Sequence, residues 1–130
     1  MTGEVYELVL ERVGRKWITA NERLHWAAKA KKVAQWRDMT AWQASKLGWR
    51  FPFGARVVCE MRFNTNRRRD PANWAPTAKA VLDGLVDAQV FPDDNAKYIE
   101  GPDMRLGECV RHDEPEQMII RIFPRQGGPQ

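Results

Sequence analysis

The stretch ARVVCEMRFNTNRRRDPANWAPTAKAVLDGLVDA, residues 55–88, decides the fold. Its opening residues alternate. Val57, Cys59, Met61 and Phe63 fall on one side of an extended chain, and Val58, Glu60 and Arg62 on the other. This pattern predicts a half-buried strand over about 55–63, with Cys59 a core residue rather than a reactive thiol. The closing residues change period. Ala78, Val81, Leu82, Leu85 and Val86 form an apolar stripe at helical spacing, which predicts a helix over about 75–88. Pro76 then sits in the first turn, where a missing N–H costs nothing. Lys79 and Asp83 are four apart and can pair. Between strand and helix lies the densest charge in the chain, Arg67-Arg68-Arg69-Asp70 followed by Pro71-Ala72-Asn73.

Upstream, about Glu4 to Val13 has strand character through Tyr6, Val9 and Val13. A loop with Thr19, Asn21 and Arg23 follows. A long helix is expected from about Leu24 to Leu47, with Trp26, Ala30, Val33, Trp36, Thr40, Ala44 and Leu47 on one face. Lys31, Asp38, Trp42 and Lys46 point the other way, and Gly48 supplies the stop. The tryptophans of the first face are expected in the core. Trp42 is expected to meet a partner or a second subunit. Downstream, Lys97 to about Pro102 and Gln117 to Phe123 read as strands, expected to form a hairpin across a charged connection over 105–115. The order implies an α/β (α+β) fold: a small mixed sheet with two main helices packed against it. One domain is expected over 1–124, with a flexible tail over 125–130 rich in Gly, Pro and Gln.

A chain of 130 residues suits one core, and 43% hydrophobic residues are too many for disorder. No apolar run reaches the length of a membrane span, and Met1 to Val13 alternates charge and apolar residues unlike a signal peptide. The two cysteines, Cys59 and Cys109, make no disulfide framework, so a reduced, cytoplasmic chain is expected. A net charge of +4 and a pI near 9.3 favour a polyanionic partner. Besides the arginine run, Lys29, Lys31 and Lys32 are clustered on the long helix.

Hydrolysis of a phosphodiester loads negative charge onto the attacking and leaving oxygens. A divalent ion neutralises that charge, and Mg²⁺ needs few carboxylates because it keeps several waters. A lysine nearby stabilises the developing charge, and arginines hold the neighbouring backbone. Asp70, Asn73, Lys79 and Asp94 match these residue types, with Asp93 beside Asp94. Asp70 and Asn73 also suit a turn into a helix, Lys79 suits a pair with Asp83, and Asp93-Asp94-Asn95 suits a loop. The helix between the two acidic motifs is about 20 Å long. The chain must therefore return along it for Asp94 to approach Asp70.

These elements resemble the RusA family of Holliday junction resolvases, often carried by phages and prophages. That family shows a basic stretch, an Asp-x-Asp-Asn motif, a later Lys, an Asp-Gly/Ala-Leu element and an Asp-Asp after a short turn. Here they stand as Arg67 to Arg69, Asp70-Pro71-Ala72-Asn73, Lys79, Asp83-Gly84-Leu85 and Asp93-Asp94. The resemblance covers about residues 55–101. It is weaker earlier, at Asn21-Glu22-Arg23. It implies a homodimer that nicks four-way or branched DNA with Mg²⁺, or Mn²⁺. By it, Asp70, Lys79 and Asp94 are catalytic, and Asp70, Asp93 and Asp94 hold metal. Arg67, Arg68, Arg69, Asn73, Lys29 and Lys32 are assigned to the DNA. Ala72 departs from the pattern, since a methyl group cannot bind a cation. Asp93, Asp83 and Glu60 are the candidates to compensate. The alternative is a RusA-like protein that grips branched DNA without cutting. A zinc site from His25, Cys59, Cys109 and His112 lacks close ligand spacing. A protein-interaction module with merely solvated acidic loops is the remaining class.

Overall fold

The computed structural model describes residues 3–127, so residues 128–130 of the expected tail lie outside it. Its elements are β1 (Tyr6–Glu11), α1 (Trp26–Leu47), β2 (Ala55–Arg62), a 3₁₀ turn (Pro71–Trp74), α2 (Ala75–Asp87), β3 (Ile99–Leu106) and β4 (Gln117–Pro124). The four strands form one mixed sheet in the order β1-β4-β2-β3. β4 runs antiparallel to both β1 and β2, and β3 runs parallel to β2. The parallel pair is joined through α2, a β-α-β crossover. The α+β architecture with two helices against a small mixed sheet is therefore as expected.

The alternation in β2 holds. Val57, Cys59 and Met61 are fully buried, while Val58, Glu60 and Arg62 are half-buried on the other face. From α2, Ala78, Val81, Leu82 and Leu85 pack into the same core, which Leu8, Leu10, Ile120 and Ile122 complete. On the sheet's second face Arg121 bridges Glu7 and Glu60, and Arg62 also pairs with Glu60. Arg125, assigned to the tail, is held by its N–H to the Gly54 carbonyl and by its guanidinium to the Lys97 carbonyl.

The expected β3–β4 hairpin is corrected: β2 lies between the two strands. The physical reason is in their burial. β4 buries Met118, Ile120 and Ile122 on its core face and Ile119 beside Arg121 on the other, so more of it is covered than an edge strand allows. β3 leaves Glu100, Arg105 and Leu106 exposed and suits an edge.

The expectation for α1 holds only in its middle. Trp36, Thr40 and Ala44 are buried, Trp36 stacked on Trp17 at 4.9 Å, but Trp26, Ala30 and Leu47 are exposed. The helix has 22 residues and α2 has 13. At 1.5 Å per residue α1 exceeds α2 by about 13 Å, so α2 cannot cover it at both ends, and residues 26–31 are all exposed. The helix begins at Trp26 because His25 Nδ1 accepts the Ala27 N–H at 3.2 Å. It ends at Gly48, whose φ of 68° is the left-handed cap expected of glycine. Trp42 projects from the polar side as expected, with Lys46 Nζ 3.3 Å from its ring centroid. Among the described residues, no helix is long and apolar enough to cross a membrane.

Candidate functional site

The site is built on the start of α2. Asp70 caps the 3₁₀ turn: its Oδ1 accepts the Ala72 N–H at 3.0 Å. The preceding loop, residues 18–21, is pinned over that turn. Buried Thr77 takes both polar groups of Ile18, its Oγ1 accepting the N–H and donating to the carbonyl at 2.8 Å each. The Ala20 N–H donates to the Asn73 carbonyl at 2.8 Å. The pinning brings Asn21 alongside Arg68, Arg69, Asp70, Ala72, Asn73 and Trp74, and together they line a cleft of about 500 Å³.

Its cations differ in freedom. Arg69 donates to the Thr65 carbonyl and hydroxyl at 2.9 and 2.7 Å and lies 4.2 Å over the Phe63 ring. Arg67 and Arg68 are exposed and make no hydrogen bond or ion pair among the described residues. The side-chain amide of Asn73 is likewise uncommitted. Phe63 and Trp74, with centroids 4.6 Å apart, support the cleft from below, and Trp74 Nε1 is buried with no hydrogen-bond partner. On α1, Lys29 is exposed, whereas Lys32 is drawn into an ion pair with Glu22 at 2.7 Å.

Further along α2 the chain returns as the sequence required. After α2 ends at Asp87, residues 88–94 climb back along it. Asp94 Oδ2 accepts from Lys79 Nζ at 2.6 Å, and Asp83 Oδ1 accepts from the same ammonium at 2.7 Å. Lys79 stands two turns above the helix end, so the return recovers about 12 Å. Both partners hold the Lys79 pKa above its ordinary value, Asp83 most and then Asp94. The lysine in turn holds Asp94 below the ordinary carboxylate range. Lys79 and Asp94 thus meet. Asp70 shares no hydrogen bond or ion pair with them among the described residues.

Of the carboxylates offered in place of the motif position at Ala72, only Asp83 shares the Lys79 ammonium with Asp94. Asp93 caps its own turn, accepting from the Asp94 N–H at 2.7 Å and from Asn95 Nδ2 at 3.1 Å. Glu60 is engaged by Arg121 and Arg62 on the sheet's second face. The residues as placed do not make a metal centre. Among the described residues no three of His, Cys, Asp or Glu are grouped to hold an ion, and the space between Asp83 and Asp94 contains the Lys79 ammonium. Cys59 lies in the core and Cys109 on the surface, so the two thiols share no site.

Sequence reasoning missed Thr77 and Trp74. Thr77 interrupts the apolar stripe of α2 one residue from Ala78, and a buried hydroxyl needing a partner was its only signal. Trp74, between Asn73 and the helix, carried no pattern of its own.

The fold and site define a basic cleft at a helix start, beside a lysine clamped by two aspartates, on a mixed α+β sheet. A scan against protein-family models finds no match, and a search of curated proteins finds no significant relative.

Proposed function

We propose that this chain is a RusA-type protein that binds branched DNA and hydrolyses its phosphodiester backbone. The observation that carries the reading is the contact of Lys79 with Asp94, fifteen residues apart at 2.6 Å, beside a cleft lined by arginines. Both residues belong to the motif set that the sequence assigns to phosphodiester chemistry. In this reading Arg67, Arg68 and Arg69 hold backbone phosphates. Asn73 orients the strand with its uncommitted amide. Lys79, positioned by Asp83 and Asp94, presents its ammonium to the charge that develops on the scissile phosphate.

A second reading, binding without cutting, is favoured by Ala72 and by Asp70, whose carboxylate is turned to the Ala72 N–H. One assay separates the two. Purified protein is incubated with a synthetic four-way junction in Mg²⁺ or Mn²⁺, beside the Asp70→Asn and Lys79→Ala variants. Nicking by the wild type that both substitutions abolish supports hydrolysis. A shifted but intact junction under every metal condition sinks hydrolysis and leaves the binding protein.

A further inference from the structure

We infer that Trp26 is a stacking platform for an unpaired or unstacked DNA base at the mouth of the arginine cleft, an inference that rests on the DNA-binding reading above. Trp26 is 76% exposed, more than any other large apolar side chain among the described residues. It is the first residue of α1, whose residues 26–31 are all exposed. Trp26 is the fifth residue after Asn21 of the cleft lining, so at most about 18 Å of chain links the two. The His25 ring sits 5.5 Å away at an interplanar angle of 35°, a second flat surface beside the first.

The surroundings choose the occupant. The first turn of α1 carries no acidic residue. Between residues 21 and 32 the cations are Arg23, Lys29, Lys31 and Lys32, and the sole acid, Glu22, is consumed by Lys32. Around the ring Leu24, Ala27, Ala28 and Ala30 are exposed, but Arg23, Lys29 and Lys31 are interleaved with them, so the surface is cationic as well as apolar. A second copy related by a two-fold would set Arg23, Lys29 and Lys31 against their own equivalents. A base has a π-face for the indole and carries phosphates for the cations, and it meets both requirements.

The test is fluorescence anisotropy with three labelled probes: oligothymidine, a four-way junction and a blunt duplex. Trp26→Ala is expected to weaken oligothymidine and junction binding about five-fold or more, Trp26→Phe to stay within about three-fold of wild type, and the duplex to be unaffected. Equal affinity of Trp26→Ala and wild type for oligothymidine and junction overturns the inference while leaving DNA binding intact. So does an equal loss on the duplex, which would mark a general contribution rather than stacking. A change in oligomeric state of Trp26→Ala on a sizing column also overturns it, because a second copy would then cover the ring. Wild-type protein that binds none of the probes overturns the parent reading as well.

Discussion

Gly84→Ala tests the crossing of α1 over α2 on which the site is mounted. Gly84 sits between Asp83, which clamps Lys79, and Leu85, which is fully buried. A Cβ placed on Gly84 would lie 2.5 Å from the Arg37 carbonyl oxygen and 2.9 Å from the Thr40 Cβ, against ordinary contacts of 3.4–4 Å. The carbonyl belongs to helix backbone and cannot swing aside, so the two helices must separate by most of an ångström. Two effects compete. Replacing a mid-helix glycine by alanine gains about 1 kcal/mol of helix propensity. Overpacking a close-packed contact costs about 1–3 kcal/mol. The clash wins because it involves backbone, leaving a net loss of about 1 kcal/mol. For a chain of this size that lowers the melting temperature by about 3–5 °C. Thermal unfolding followed by circular dichroism measures it. A melting temperature equal to or above wild type would refute the close crossing.

On the proposed reading, Lys79→Ala abolishes nicking while changing junction affinity less than about three-fold, since one clamped ammonium adds little to a polycationic surface; equal losses in both would refute its role. Arg68→Ala lowers the salt slope of binding by about 0.9, the share of one phosphate contact, and an unchanged slope removes Arg68 from the interface. The Asp94 carboxyl should titrate below 3.8 by carbon NMR, because Lys79 stabilises its charged form, and should move upward in Lys79→Met. The sign follows: the stabilisation from Asp94 is present above the ordinary carboxylate range and is lost as pH falls through the depressed pKa. That from Lys79 is present below 10.5 and is lost only as pH rises through the raised pKa, so no inflection from this pair belongs near neutrality. Burial, chiefly, pushes the Cys59 thiol up to about 12, so iodoacetamide at pH 8 should add one label, on exposed Cys109, and a second only in denaturant; two labels on native protein would contradict the buried position.

What was legible in the sequence was local periodicity. Val57, Cys59 and Met61 alternate over a strand with one buried face, and the stripe from Ala78 to Leu85 repeats at 3.6, so β2 and α2 could be read with their faces. Strand order was not legible, because a hairpin and an inserted strand use the same local patterns. The unbroken apolar run Met118-Ile119-Ile120, which places an isoleucine on each face, was the available clue to a central strand. Trp26 was misread for a related reason. Periodicity names a helix face but not how far the helix runs beyond its support, and α1 outruns α2. In the site, the Lys79–Asp83 pair followed from spacing alone. The Lys79–Asp94 contact depended on seven residues folding back along α2, and the pinning by Thr77 depended on a partner 59 residues away.

The arrangement sorts charge along α2 in a way that, on the proposed reading, separates holding DNA from acting on it. At the helix start the cleft sets Arg68 and Arg69 against Asp70 alone, with Ala72 where a further carboxylate would have opposed a phosphate. The positive end of the α2 dipole lies there too. About 6 Å further along the axis, Lys79 is already neutralised by two aspartates and offers a polyanion little net attraction. On the proposed reading, affinity therefore belongs to the cleft and turnover to the clamp. On the same reading, a methyl group at Ala72 in place of a carboxylate favours the first, and the second requires Asp83 and Asp94 to keep the ammonium aimed at the phosphate held in the cleft.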